Sequence, residues 1–256
     1  MISRYSPSLL NDFEKCPYFF KIFYLDGRKK ELEKPKSYYT LGRTVHDALC
    51  KFFSLFVEER TLEKLHELYR QSWREILWEK RGFENKKEEK EYGLRGLAML
   101  EWFYKNYDIS VRPKYLENYY ETILSDGATL VGKIDRIDEH TDSSLTIIDY
   151  KTGKDTMDDE EMPDDLQAGF YTFLVEKKLR RPIKEVKFIY LESRTESNFT
   201  PDGGYSKKVE ANIKEKINQV ENATEFLPKV SYLCKYCDVL PLCPERVNIL
   251  RSEIPF

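Results

Sequence analysis

Apolar residues recur with two different periods along the chain. The first hundred residues follow a helical one. Ser6-Pro7-Ser8 ahead of Leu9, Leu10 and Phe13 is an N-cap pattern opening a short helix, which Cys16-Pro17 interrupts before an aromatic run over 18–25. Leu41, Val45, Leu49, Phe52 and Phe56 fall on one stripe and predict a helix over 40–59. Leu62, Leu65, Tyr69, Trp73, Ile76 and Leu77 mark a third helix, and residues 92–107 a fourth. Between them, 81–91 is almost all charge and reads as a solvated helix end or linker. The period then changes to two: 116–124, 129–138 and 145–151 read as successive strands, with a turn at Ser125-Asp126-Gly127. An acidic segment over 155–165, expected to be flexible, precedes a helix over 166–178, a strand over 183–192 and a charged amphipathic helix over 209–226. The order of elements predicts an α/β fold, a mixed central sheet flanked by helices. It is expected to form a single domain over 1–256, with a mainly helical region at 1–110, a sheet core at 111–195 and a helix with a Cys-rich tail at 196–256.

Composition narrows the function classes. Of 256 residues, 41% are hydrophobic and 14% aromatic, enough for a core and too much for a disordered chain. The net charge of −3 excludes a bulk polycation, so any hold on nucleic acid must come from local patches. Lys177, Lys178, Arg180, Arg181, Lys184 and Lys187 form one such cluster. No stretch approaches the ~20 apolar residues of a membrane span, and the first residues lack the apolar core of a signal peptide. A cytoplasmic protein with reduced thiols is the expectation.

The densest chemistry lies in Gly132-Lys133-Ile134-Asp135-Arg136-Ile137-Asp138 and Ile147-Ile148-Asp149-Tyr150-Lys151-Thr152-Gly153. Residues two apart on a strand share a face, so Asp149 and Lys151 point the same way, with Cα atoms about 7 Å apart. Asp135 lies on a strand joined to theirs by a short turn, and the two carboxylates can converge. Two hard carboxylates beside an amine suit a Mg²⁺ or Mn²⁺ site for phosphodiester cleavage. The Tyr150 carbonyl can fill a further metal position. Taken alone, D-x-K is also a common surface salt bridge. Gln167 and Tyr171 share a face of the following helix and can hydrogen-bond phosphate or base. His46 sits at the edge of an apolar helical stripe with Cys50 and Phe53, where a core role is the ordinary one.

Cys234, Cys237 and Cys243 give C-x2-C-x5-C, and Cys16-Pro17 is the best candidate for a fourth ligand. Spacing leaves structural Zn²⁺ and a [4Fe–4S] cluster equally open. Cys50, mid-helix, reads as a small buried hydrophobe.

Together these segments resemble the RecB-like branch of the PD-(D/E)XK nucleases. Within it they look most like the iron–sulfur members, the CRISPR-associated RecB-like exonucleases and the AddB-type nuclease domain. Tyr5-Ser6-Pro7-Ser8-Leu9-Leu10 through Cys16-Pro17 looks like the opening segment, and Leu41-Gly42…His46 like the histidine motif. Gly132…Asp135-Arg136 looks like the first carboxylate motif, Asp149-Tyr150-Lys151 like D/E-x-K, and Gln167…Tyr171 like Q-x3-Y. The resemblance implies Mn²⁺ or Mg²⁺ at His46, Asp135, Asp149 and the carbonyl of Tyr150. It also implies a catalytic Lys151 and a [4Fe–4S] cluster on Cys16, Cys234, Cys237 and Cys243. Arg43 and Arg136 lie within the motifs and are expected to contact substrate. A long helical insertion over 58–107 departs from smaller family members. The expected function is a metal-dependent DNA nuclease acting on single strands or frayed ends, in CRISPR adaptation or in recombination and repair with a protein partner. A non-catalytic DNA-binding or scaffolding subunit that keeps the fold and cluster is the alternative. An iron–sulfur redox carrier needs only the cysteines and leaves the acids and lysine unexplained.

Overall fold

A computed structural model of the chain describes residues 2–251. The helices are α1 (Pro7–Lys15), α2 (Pro17–Phe20), α3 (Lys29–Leu32), α4 (Ser37–Phe53), α5 (Leu62–Glu75), α6 (Lys86–Asn106), α7 (Leu166–Leu179), α8 (Tyr205–Glu221) and α9 (Arg246–Arg251). The strands are β1 (Arg4–Tyr5), β2 (Tyr115–Ile123), β3 (Thr129–Glu139), β4 (Leu145–Lys151), β5 (Ile183–Tyr190) and β6 (Thr195–Phe199). They divide between two compact units that interleave in sequence: residues 35–120 with 132–206, and the described residues up to 34 with 121–131 and those from 207 onward.

In the larger unit the sheet runs β3-β4-β5-β6, with β2 also paired to β3. It is mixed: β3–β4 and β5–β6 are antiparallel, whereas β4–β5 is parallel, with α7 as the crossover between them. Every residue of β4 but Lys151 is buried, as a strand covered on both faces must be. Ile148 and Tyr150 join the core formed by Leu41, Val45, Leu49 and Phe52 of α4, Tyr69 and Trp73 of α5, and Leu100 and Phe103 of α6. Each such side chain withdrawn from water contributes about 1.5–3 kcal/mol against chain entropy. Helix α7 is buried nearly all round, through Ala168, Phe170, Phe173, Leu174 and Val175, the signature of an internal helix. This is the mixed sheet flanked by helices that the element order predicted.

Several boundaries differ from expectation, each for a local reason. The helix expected to reach residue 59 ends at Phe53. The buried Arg60 guanidinium donates to the carbonyls of Phe53 and Leu55, satisfying chain ends that the helix leaves bare. The charged run 81–91 is cut by Asn85, whose side chain accepts from the amides of Lys87 and Glu88 at 3.0 Å each and starts α6 inside the expected linker. Strand β6 was not expected, because a polar edge strand reads as loop.

The acidic segment 155–165 is not the flexible loop expected. Met162 is fully buried, the Met157 amide donates to Tyr190 Oη at 3.3 Å, and Asp159 Oδ1 accepts from the Asn198 amide at 2.8 Å. The basic cluster near 180 is also partly neutralised: Arg181 pairs with Glu139 at 2.6 Å, and Lys187 with Glu196 at 3.1 Å.

Helix packing around α5 and α6 is close at Gly96, where an added Cβ would collide with the Tyr69 hydroxyl. Gly→Ala inside a helix ordinarily stabilises by about 1 kcal/mol. Here the sign is expected to reverse, with Gly96→Ala costing about 1–3 kcal/mol by overpacking. Thermal unfolding checks this, and a higher Tm for the variant would contradict it.

In the smaller unit β1 lies parallel to the first residues of β3, Arg4 opposite Thr129 and Tyr5 opposite Leu130. Ser6 caps α1, accepting from the Leu9 amide. Tyr5 Oη donates to Glu221 at 2.8 Å. Val209, Ile213, Ile217 and Val220 bury one stripe of α8. Ile22 and Phe23 pack with Val239, tying the early aromatic run to the Cys-rich tail.

Candidate active site

The β3–β4 register pairs Arg136 with Ile148. Continued by one residue, it sets Asp135 opposite Asp149. There the regular ladder gives way to a side-chain bond, in which the Tyr150 amide donates to Asp135 Oδ2 at 2.8 Å. The other oxygen of Asp135 lies 3.2 Å from Nδ1 of His46, on α4. Burial works against charge on this imidazole, but the Asp135 carboxylate, with Asp149 and Glu117 behind it, outweighs burial and lifts its pKa to about 9.

Asp149 is buried at the end of β4. Its Oδ2 lies 2.7 Å from Lys151 Nζ, and its Oδ1 accepts from Gln167 Nε2 at 3.0 Å. The Gln167 carbonyl oxygen accepts from Lys151, and its amide also reaches Tyr171 Oη at 2.8 Å. Gln167 thus spans acid, amine and phenol. It stands in the first turn of α7, which Asp165 caps by accepting from the Ala168 amide. Burial pushes the Asp149 carboxyl up, while the Lys151 ammonium opposes that shift. Burial also disfavours the Lys151 charge, but Asp149 more than compensates and its pKa is raised. Burial raises the Tyr171 phenol.

Sequence reasoning missed Glu117. Its carboxylate joins His46 and Asp135 with ligand atoms within 4.8 Å of one another. It belongs to β2 yet has φ 51°, the left-handed region that costs a non-glycine residue of order 1 kcal/mol and is concentrated at functional sites. An acid in an aromatic strand was the only signal available, and Glu121 shares it while pairing instead with Arg4. Glu117 is paired with Lys133. The donor set of one imidazole and two carboxylates suits a hard divalent cation.

Arg136, expected to contact substrate, is turned elsewhere. It is buried, forks onto Asp138 at 2.8 and 2.6 Å, and lies 4.1 Å over the Phe53 ring. Strand alternation puts it on the face opposite Asp135, so it acts as a packed ion pair. Arg43 is exposed and lines the same cavity as His46, Glu117, Lys133 and Asp135, about 750 Å³ in volume.

Cys16, Cys234, Cys237 and Cys243 all fall in the smaller unit. Burial raises the thiols of Cys237 and Cys243, and Cys16 and Cys234 raise both further, so the sulfurs feel one another. Backbone amides face two of them: Phe19 N lies 3.4 Å from Cys16 Sγ and Ser231 N lies 3.2 Å from Cys234 Sγ. Thiols facing amide donors are ligands of the kind that thiolate-held metals and clusters use, but among the described residues the one set of potential ligand atoms within 4.8 Å of one another is His46, Glu117 and Asp135. Cys50 lines the cavity that contains His46.

A mixed sheet that carries a His–Glu–Asp trio beside an Asp-x-Lys strand end is the arrangement of a restriction-endonuclease-like nuclease fold. Residues 4–244 match the family profile described as the PD-(D/E)XK nuclease superfamily, and the chain belongs to that superfamily. A solved structure titled "Crystal structure of SSO0001" is similar at 14% identity, over 96% of this chain and 88% of that one, with a TM-score of 0.44. No curated protein matches the sequence. Among the described residues, no helix is long and apolar enough to cross a membrane.

Proposed function

We propose that the protein is a RecB-like, iron–sulfur-containing deoxyribonuclease of the cytoplasm that uses Mn²⁺ or Mg²⁺ to hydrolyse phosphodiester bonds of single-stranded DNA or frayed ends. The observation that carries this reading is the interlocked set where the end of β4 meets the middle of β3: His46 on Asp135, the Tyr150 amide on Asp135, and Lys151 and Gln167 on Asp149. Such a set leaves little freedom to the charged groups, and that preorganisation is what stabilising a developing charge requires.

His46, Glu117 and Asp135 would hold the ion, with Asp149 and the Tyr150 carbonyl as the further ligands the family resemblance implies. When bound, a hard divalent ion supplies Lewis acidity toward the scissile phosphate and acidifies water. The chain's own groups do the rest. Lys151 presents an ammonium for the charge growing on the phosphate oxygens. Asp149 and Gln167 hold that ammonium in place, and Tyr171 fixes the Gln167 amide. Arg43 offers a cation to the substrate backbone.

The test is digestion of end-labelled single-stranded DNA with Mn²⁺ against the same protein in chelator. Cleavage that depends on the metal supports the reading, and tight binding without cleavage under any divalent ion would favour the scaffolding alternative. CRISPR adaptation and recombination or repair are the two settings this activity fits.

The cluster is separately testable. Anaerobically purified protein is expected to be brown, with iron and sulfide near four each per chain, the content of one [4Fe–4S] group. Cys237→Ser is expected to lose iron and lower the Tm, because four thiolates would close a loop joining residue 16 to the tail. A colourless protein carrying one zinc per chain would replace the cluster with a structural zinc site.

A further inference from the structure

We propose that Tyr38 and Tyr39 form a nucleobase-stacking platform at the mouth of the candidate active-site cavity. It would hold an unpaired base a short distance along the strand from the phosphate to be cut. This rests on the nuclease reading above and specifies how that site takes a single strand.

Tyr38 and Tyr39 stand in the first turn of α4 and are 52% and 56% exposed. Large rings are usually covered, and these two neighbouring ones, exposed at the cavity mouth, form an apolar patch there. Their ring centroids are 4.5 Å apart at an interplanar angle of 62°, so one ring stands edge-on to the other. Both line the cavity that contains His46, Glu117 and Asp135.

The helix sets the spacing. Tyr39, Arg43, His46 and Cys50 recur at intervals of four, three and four, which is one face of α4, and all four line the cavity. Seven residues of helix carry Tyr39 about 10 Å from His46. That is the length of roughly three stacked nucleotides, or fewer extended ones. Between the two, Arg43 shares that face, and at Gly42 the helix packs closely on Thr152, whose Oγ1 would lie 3.1 Å from an added Cβ.

Beside the rings, Arg43 offers a cation to a phosphate backbone. Arg43 is exposed and lines the cavity, alongside Lys133, which is paired with Glu117, and the acids Asp47, Glu75 and Asp135; Lys36 Nζ lies 5.5 Å from the Tyr39 ring centroid. Cations that follow the backbone, combined with rings that take the bases, are the general means of holding single strands without reading sequence. A duplex keeps its bases stacked on each other and offers no free face to the platform, so the strand must be unpaired there.

Kinetics on a short single-stranded deoxyoligonucleotide with Mn²⁺ tests this. The double variant Tyr38→Ala/Tyr39→Ala is expected to raise KM about tenfold with kcat little changed, since a stacked base is lost and the reacting groups are untouched. Tyr39→Phe keeps the ring and is expected to restore a KM near the parent's. One abasic nucleotide, moved along the substrate, should raise the parent's KM comparably at a single position, and should add nothing in the double alanine variant. A double variant with the parent's KM, or an abasic penalty of equal size in both proteins, overturns the platform and leaves the nuclease reading standing. A parent protein that does not cut the oligonucleotide in any divalent ion overturns both. Exposed rings leave little core to lose, and an unchanged Tm for the alanine variant verifies that the effect is on binding.

Discussion

Asp135→Asn is expected to lower Mn²⁺-dependent cleavage by about a thousandfold, the upper range for removing one preorganised electrostatic contact. The substitution keeps the shape of the side chain, so the expected loss is chemical. Asp135 uses both oxygens: Oδ1 faces His46 and Oδ2 accepts the Tyr150 amide at 2.8 Å. An asparagine has one accepting oxygen. Either the buried Tyr150 amide loses its partner, at about 1–3 kcal/mol, or an amide nitrogen is turned toward the proposed cation. The trio with Glu117 also loses one of its two negative charges. Initial rates on end-labelled single-stranded DNA, with metal binding followed in parallel, check this. A variant within about tenfold of the parent would remove Asp135 from the proposed site.

Lys151→Met is expected to lower cleavage by about a hundred- to a thousandfold, while binding of single-stranded DNA is largely kept. Methionine keeps much of the apolar stem and removes the ammonium, which donates to Gln167, pairs with Asp149 and lies 4.3 Å from the Phe188 ring centroid. The same variant makes a prediction about pH. Asp149 is 5% exposed and would lose its only ion-pair partner among the described residues. Its carboxyl is already pushed above the ordinary value of 3.8 by burial, and without Lys151 it rises further. A raised carboxyl binds more protons in the folded state than in the unfolded one, so stability falls as pH rises from the ordinary value through the raised one. Lys151→Met should therefore lose more Tm relative to the parent at pH 8 than at pH 5. The cost at pH 8 is expected to be about 1–3 kcal/mol, below that of a fully enclosed pair because Lys151 is 27% exposed and Asp149 can take up a proton. Equal losses at both pH values would mean that Asp149 does not titrate with folding.

Much of the site could be read in advance because its elements are periodic and its motifs local. Asp149 and Lys151 had to share a face of one strand, and Gln167 and Tyr171 one face of a helix; the hydrogen bonds between Asp149, Lys151, Gln167 and Tyr171 join those two faces. Arg136 shows the limit of that logic. It adjoins Asp135 in sequence, and for that reason alternation turns it to the opposite side, onto Asp138 and Phe53. The acidic segment 155–165 read as a mobile loop because its residues are polar. It is held instead by single contacts to β5 and β6, such as Met157 to Tyr190 and Asp159 to Asn198, that composition does not record.

The amino-acid order alone determined the α/β class, the strand that ends in an acid and an amine, the helix that bears His46, and the gathering of cysteines toward the tail. These depend on periods of two and 3.6 and on spacings of a few residues, which the covalent chain imposes wherever it folds. Tertiary structure decided the partners across distance: that Glu117 rather than Glu121 joins His46 and Asp135, that Gln167 bridges Asp149 to Lys151, and that Tyr38 and Tyr39 border the same cavity. Glu117 reaches its place through a left-handed backbone at φ 51° within a paired strand. That conformation is unfavourable for the residue by itself and persists only because the surrounding structure holds it.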